Sequence, residues 1–220
     1  MAISVKKVAL KPPPKRKPKG NYRHGDLRNA LLTEALRLIQ ERKQVDFNLR
    51  ELAKRAGVSH TAAYRHFHSK REILAEIALA GYQRLLFLFQ EAALKSKDSG
   101  KDPVIEQGKA YLRFAIENPG RFRAMVDPTL YPFLDFPELY STAKATFASL
   151  VTSIKEGVSA GRYRKASASR LALAAWSSFH GLSHLILDQL VVDSMDPTPV
   201  DLESTLSFVS DFVQRGLTAP

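Results

Sequence analysis

Between Asn48 and Glu72 the chain sets three helix starts within twenty-five residues, and few folds carry such dense punctuation. Asn48 stands three residues before Glu51, the spacing of an N-cap with its capping box, and Leu52, Ala53 and Ala56 then recur at helical period. Gly57 can take the left-handed conformation that ends a helix, and Ser59 can cap the next one, predicted over 60–67. Ser69-Lys70-Arg71-Glu72 is another capping box, so a further helix opens at once. A helix, a sharp turn and a short second helix make a helix-turn-helix, the unit that seats its second helix in the major groove of duplex DNA.

The stretch resembles the DNA-binding domain of TetR-family transcriptional regulators, in which an amphipathic helix precedes the turn and a Tyr-x-His-Phe-x-x-Lys signature follows it. Those residues here are Tyr64, His66, Phe67 and Lys70, and the resemblance covers roughly 22–75. From about Gly25, Leu27, Ala30, Leu31, Ala35, Leu38 and Ile39 form the core-facing stripe of the preceding helix. Ala63 departs from the pattern, since many relatives carry a larger apolar residue there. On a helical wheel Ala63 and Phe67 point inward while Thr61 and Arg65 face away, which makes the latter pair the candidates for base edges; an Arg can bond a guanine in bidentate fashion. His60 and Tyr64 flank them on one side and His66 on the other. The resemblance implies that Tyr64 and Lys70 hold phosphates and that Arg50 reaches a base. Against these roles stand plainer ones: Tyr64 as a core-edge residue, His66 as a packing histidine, and Arg50, Arg65 and Lys70 as solvated charge.

Charge distribution points the same way. Residues 1–70 carry 17 Lys or Arg against 5 Asp or Glu, a net of +12, while 71–220 carry 16 against 17, a net of −1. A basic half joined to a near-neutral half suits a polyanion-binding module on a domain of another kind. Membrane binding would want Trp, Phe or Leu interleaved with the basic residues, and they are not there. The segment Pro12-Pro13-Pro14-Lys15-Arg16-Lys17-Pro18-Lys19 lies in a stretch, 1–21, expected to be a disordered basic arm, serving either as a solubilising tail or as a tracker of phosphates and the minor groove. The chain has no cysteine, which excludes disulfide scaffolds and thiolate metal or redox sites. No apolar signal-peptide core opens it, and its most apolar later run, 171–192, is broken by Ser177, Ser178, His180, His184 and Asp188. A cytoplasmic location follows by elimination and from the resemblance.

The fold expected is all-α: a three-helix helix-turn-helix DNA-binding domain over 22–68, then a helical effector-binding and dimerisation domain over 69–220. The helix from Ser69 should run to about residue 94, with a loop at 96–101 and further helices near 103–117, 120–126, 137–160, 167–191 and 200–215. Trp176-Ser177-Ser178-Phe179-His180-Gly181 is similar to the Trp-x-x-x-His-Gly signature of one TetR subgroup. That likeness implies that the last two helices pair with a second subunit's as a four-helix bundle, that earlier ones enclose an apolar pocket, and that the homodimer sets its recognition helices about 34–36 Å apart on a palindromic operator. Tyr111, Phe114, Phe122, Tyr140, Trp176 and His180 are the residues expected around an unidentified small-molecule effector, and ordinary core packing is the plainer reading of them. His180 and His184 have a metal-capable spacing, but no Asp, Glu or Cys is expected nearby to complete a site, so no metal and no cofactor is assigned. No phosphate-cradling loop, nucleophile elbow or carboxylate pair marks an enzyme. A ligand-responsive repressor is the leading reading, an architectural or nucleoid DNA binder without an effector the second, and a small-molecule binder or enzyme with incidental charge the third.

Overall fold

Every described helix after the first begins where the sequence supplies a capping side chain or a proline at its first position. The structure, a computed structural model, describes residues 24–190 and 201–218, and the basic arm of 1–21 lies outside them. Among the described residues there are nine α-helices and no strand: α1 His24–Arg42, α2 Leu49–Ala56, α3 His60–Tyr64, α4 Lys70–Ser99, α5 Pro103–Glu117, α6 Pro119–Met125, α7 Pro137–Ser159, α8 Ala168–Leu187 and α9 Leu202–Thr218, with a 3-10 turn at Pro128–Leu130. The all-α expectation holds.

The caps form as the spacing required. Asn48 Oδ1 accepts from the Glu51 amide at 3.0 Å and Ser59 Oγ from the Ala62 amide at 3.2 Å. Gly57 sits at φ 72° and ψ 30°, and the amide of Val58 closes the helix end on the Ala53 carbonyl at 3.0 Å. Ser69 Oγ takes the Glu72 amide at 3.2 Å, while the Glu72 carboxylate reaches back to the His68 amide at 2.8 Å.

Four helix ends differ from expectation. α3 ends at Tyr64 rather than at residue 67, although the Phe67 amide still reaches the Ala63 carbonyl at 3.1 Å and keeps both side chains on the inner face. α4 runs through the loop expected at 96–101, because Ser96 and Ser99 bond their hydroxyls to carbonyls one turn back, Ala92 at 2.7 Å and Lys95 at 2.9 Å, and no breaker comes before Gly100. α8 stops at Leu187 and α9 extends to Thr218.

The described residues fall into two compact units. One holds 24–82 together with 118–141. Its centre is Leu31, Leu38 and Ile39 of α1, Leu52 of α2, Ala63 and Phe67, and Ile73 and Leu74 of α4, all buried. Burying a ring such as Phe67 contributes about 1.5–3 kcal/mol, and the Arg28 guanidinium covers it at 4.5 Å. Ion pairs fix α2 on α1: Arg55 grips Glu41 through two bonds of 2.8 and 2.9 Å and Glu34 at 3.3 Å, and Arg42 pairs with Glu51. The Arg55 hydrogen bonds hold the Glu41 carboxyl below its ordinary range. Residues 118–141 join this unit because α6 packs on α1 and Arg71 of α4 reaches the Thr129 carbonyl at 2.9 Å and pairs with Asp135.

The other unit holds 83–117, 142–190 and 201–218, with α5, α8 and α9 packed on one another. Tyr163 ties its loop to the start of α5, donating to Asp102 at 2.8 Å, and burial drives its phenol to a higher pKa.

Candidate nucleic-acid interface and ligand cavity

Whether a basic residue can meet DNA depends on what already holds it. Arg28, Arg42, Arg55 and Arg71 are engaged within their own unit. Arg50 and Arg65 are exposed, and their side chains make no hydrogen bond or ion pair among the described residues. Lys54 of α2 has the same standing and was missed in the sequence, where nothing separates it from the engaged arginines.

The second motif helix presents its outer face as the wheel required. Ala63 and Phe67 are buried, whereas His60, Thr61 and Arg65 are exposed. Tyr64 is 41% exposed and meets His60 edge to face at 5.3 Å, which puts it on the surface rather than at the core edge. His66 is half-buried, and its carbonyl accepts from Arg28 at 3.0 Å. Lys70 is a different case from a free phosphate ligand. Its ammonium donates to the Val45 carbonyl at 2.6 Å and lies 5.2 Å from the Phe47 ring centre, tying the first turn of α4 to the segment between α1 and α2. A lysine ammonium has three donors, so two remain for an anion.

Of the six residues expected around an effector, the structure gathers Tyr111, Trp176 and His180. Tyr111 Oη and His180 Nδ1 are 2.6 Å apart, and Trp176 lies 5.2 Å from His180 between ring centres. Burial, and then the neighbouring His184, hold His180 below the ordinary imidazole pKa. Phe114 is buried in the same unit. Phe122 and Tyr140 belong to the other unit, the first fully buried and the second exposed. Their aromatic character marked them, but chain order did not say where residues 118–141 would return.

A cavity of about 10 Å³, room for about one water, lies among Phe89, Val104, Gly108, Tyr111, Leu150, Ala175, Trp176 and Phe179. Its walls are apolar and carry no formal charge. Most of these residues were not singled out from sequence; the available signal was Gly108, a glycine inside a helix, where it costs about 1 kcal/mol against alanine and so marks a close approach. A Cβ there would overlap the Phe179 ring.

The histidine pair does have a carboxylate beside it, contrary to expectation: Asp188 Oδ2 is 3.8 Å from His184 Nδ1, one helical turn on. No group of three or more His, Cys, Asp or Glu among the described residues is placed to hold a metal.

Two family models match the chain: bacterial regulatory proteins of the tetR family over residues 31–77, and the tetracyclin repressor-like C-terminal domain over 104–206, together about two-thirds of its length. The uncharacterized HTH-type transcriptional regulator YobS of Bacillus subtilis (strain 168) is 28% identical over 99 residues, 44% of this chain, and the chain spans about half, 51%, of that relative. A protein of unknown function from Rhodococcus sp. RHA1 is similar in structure with a TM-score of 0.73 and 26% identity, over 91% of this chain and 100% of that one. The TetR family transcriptional regulator PfmR of Thermus thermophilus shares the fold, with a TM-score of 0.64 and 23% identity over 84% of this chain and 97% of its own.

Proposed function

The chain belongs to the tetR family of bacterial regulatory proteins, and we propose that within it this protein is a ligand-responsive repressor that sits as a homodimer on a roughly palindromic operator. It is a DNA-binding transcriptional regulator and not an enzyme. The observation that carries the finer reading is the outward face of the motif. Arg50, Thr61 and Arg65 are exposed, and the two arginines, with Lys54, are unengaged among the described residues, whereas Arg28, Arg42 and Arg55 of the same array are held in ion pairs. Thr61 and Arg65 read base edges, with Arg50 beside them. His60, Tyr64, His66 and Lys70 position the backbone.

Dimerisation is supported by the outer faces of α8 and α9. Phe208 and Phe212, one turn apart, are 74% and 67% exposed, and Leu173 and Leu185 of α8 are also exposed. A monomer gains nothing from such a surface, whereas a two-fold axis would cover it with its own copy. The cavity among α4, α5, α7 and α8 is the effector site, and α4 carries both Phe89 of its wall and Lys70. We place the protein in the cytoplasm, with its DNA; among the described residues no helix is long and apolar enough to cross a membrane.

The small size of the cavity favours one other reading, an architectural DNA binder that takes no effector. Footprinting over genomic fragments separates the two. A single protected palindrome at a promoter supports the repressor, many dispersed sites support the architectural protein, and failure to bind duplex DNA removes both.

A further inference from the structure

Behind the wall of the cavity, on a residue that does not itself line it, one buried side-chain acceptor has no hydrogen bond among the described residues. Gln107 is 0% exposed and shares a helix face with Val104, Gly108 and Tyr111, three of the lining residues. Its Nε2 donates to the carbonyl of Phe89, a fourth lining residue, and to Ser149 Oγ, both at 3.3 Å. A carbonyl only accepts, so Phe89 fixes the amide with its nitrogen on that side, and Oε1 is left without a hydrogen bond. An acceptor in that state costs about 1–3 kcal/mol, a cost that a donor arriving with a ligand would remove. Tyr111 and His180, by contrast, bond to each other.

The rest of the wall sets the ligand's other properties. Phe89, Val104, Leu150, Ala175, Trp176 and Phe179 offer apolar surface and no cation to balance an anion. The Phe179 ring lies directly on the Gly108 backbone, and with it there the cavity, about 10 Å³, holds no more than about one water.

We propose that the effector is an uncharged, largely apolar small molecule bearing a hydroxyl or N–H donor, which Gln107 Oε1 accepts once the Phe179 ring has left Gly108. The proposal rests on the reading of this cavity as the effector site. Carboxylates and phosphates are excluded by the uncharged wall, and pure hydrocarbons bind less well because they leave Oε1 unpaired.

The chain has a single tryptophan, Trp176, and it lines the cavity, so its emission reports occupancy directly. Three probes of equal chain length are titrated into the full-length protein: 1-octanol, its methyl ether and octanoate. Octanol should shift the emission saturably and bind about tenfold tighter than the ether, the factor that one satisfied hydrogen bond supplies, with octanoate weaker still. Gln107→Leu, similar in shape and without the orphan acceptor, should bring alcohol and ether to within about twofold of each other. Phe179→Ala should tighten octanol by about tenfold. Equal affinity for alcohol and ether in the wild type, or a ratio that Gln107→Leu does not change, overturns the donor assignment and leaves the pocket standing. Tightest binding by octanoate overturns the uncharged class, and an octanol affinity that Phe179→Ala does not raise overturns the role given to that ring. If no probe moves Trp176 in the wild type or in Phe179→Ala, the cavity is not a ligand site, and the underlying reading falls with the proposal.

Discussion

Replacing Lys70 by alanine tests whether the signature lysine is a phosphate ligand, a structural tie, or both. The ammonium donates to the Val45 carbonyl at 2.6 Å, and a hydrogen bond from a charged donor contributes about 1.5–3 kcal/mol. It also lies 5.2 Å from the Phe47 ring centre, a cation–π contact of about 0.5–1 kcal/mol at a part-exposed site. Lys70 is half-buried, so solvent discounts the sum, and the expected loss is about 2 kcal/mol. With a urea slope of about 1–3 kcal/mol per molar, unfolding should show a midpoint lower by about 0.7–2 M. If the two spare donors hold a phosphate, as proposed, affinity for all operator sequences should fall alike, and the slope of log affinity against log salt should shrink by about 0.9 for each phosphate no longer neutralised. Lys70→Arg should keep most of the salt slope. An unchanged urea midpoint in Lys70→Ala would refute the reasoning, because it would mean that the tie to Val45 contributes nothing in solution.

Arg65→Ala should relax base preference at one operator position by about 1–3 kcal/mol, read by titration over operator variants; a uniform loss across all variants would make Arg65 a phosphate contact instead. Deleting residues 1–19, which carry Lys6, Lys7, Lys11, Lys15, Arg16, Lys17 and Lys19 and lie outside the described residues, should lower DNA affinity and flatten its salt dependence; an identical slope would leave the arm no part in binding. His180 sits below its ordinary value of 6.5, first through burial and then through His184, so the unfolded chain takes up the proton more readily. Its contribution is therefore complete above about pH 6.5 and is lost as pH falls below that value. Unfolding midpoints at about pH 7.5 and about pH 5.5, either side of that value, should differ less in His180→Asn than in the wild type, and equal differences would contradict the assignment.

What the sequence disclosed was local. Asn48, Gly57, Ser59 and Ser69 act on backbone groups within four residues of themselves, so their spacing was enough to locate α2, α3 and the start of α4. The inward turn of Ala63 and Phe67 was legible for the same reason. Pairings across long separations were not: nothing near Lys70 announces that Val45, twenty-five residues earlier, accepts its hydrogen bond, and nothing distinguishes engaged Arg55 from free Lys54. Residues 118–141 return to the unit of α1, which separates Phe122 and Tyr140 from the aromatics they were grouped with. Polar composition misled at 96–99, where serines bond back into the helix rather than end it. Gln107 gave no signal at all, because an unpaired acceptor exists only once a fold has buried it.

The exposure of Phe208 and Phe212 bears on how much of the regulator a cell must hold. If only the pair reads an operator, then at levels below the dimer dissociation constant the number of competent readers grows with the square of the number of chains. Halving expression would cut occupancy about fourfold rather than twofold, while unpaired chains with two bare phenylalanine rings would be open to proteolysis or unwanted association. The same two side chains would thus turn a graded change in synthesis into a steeper change in control of the gene.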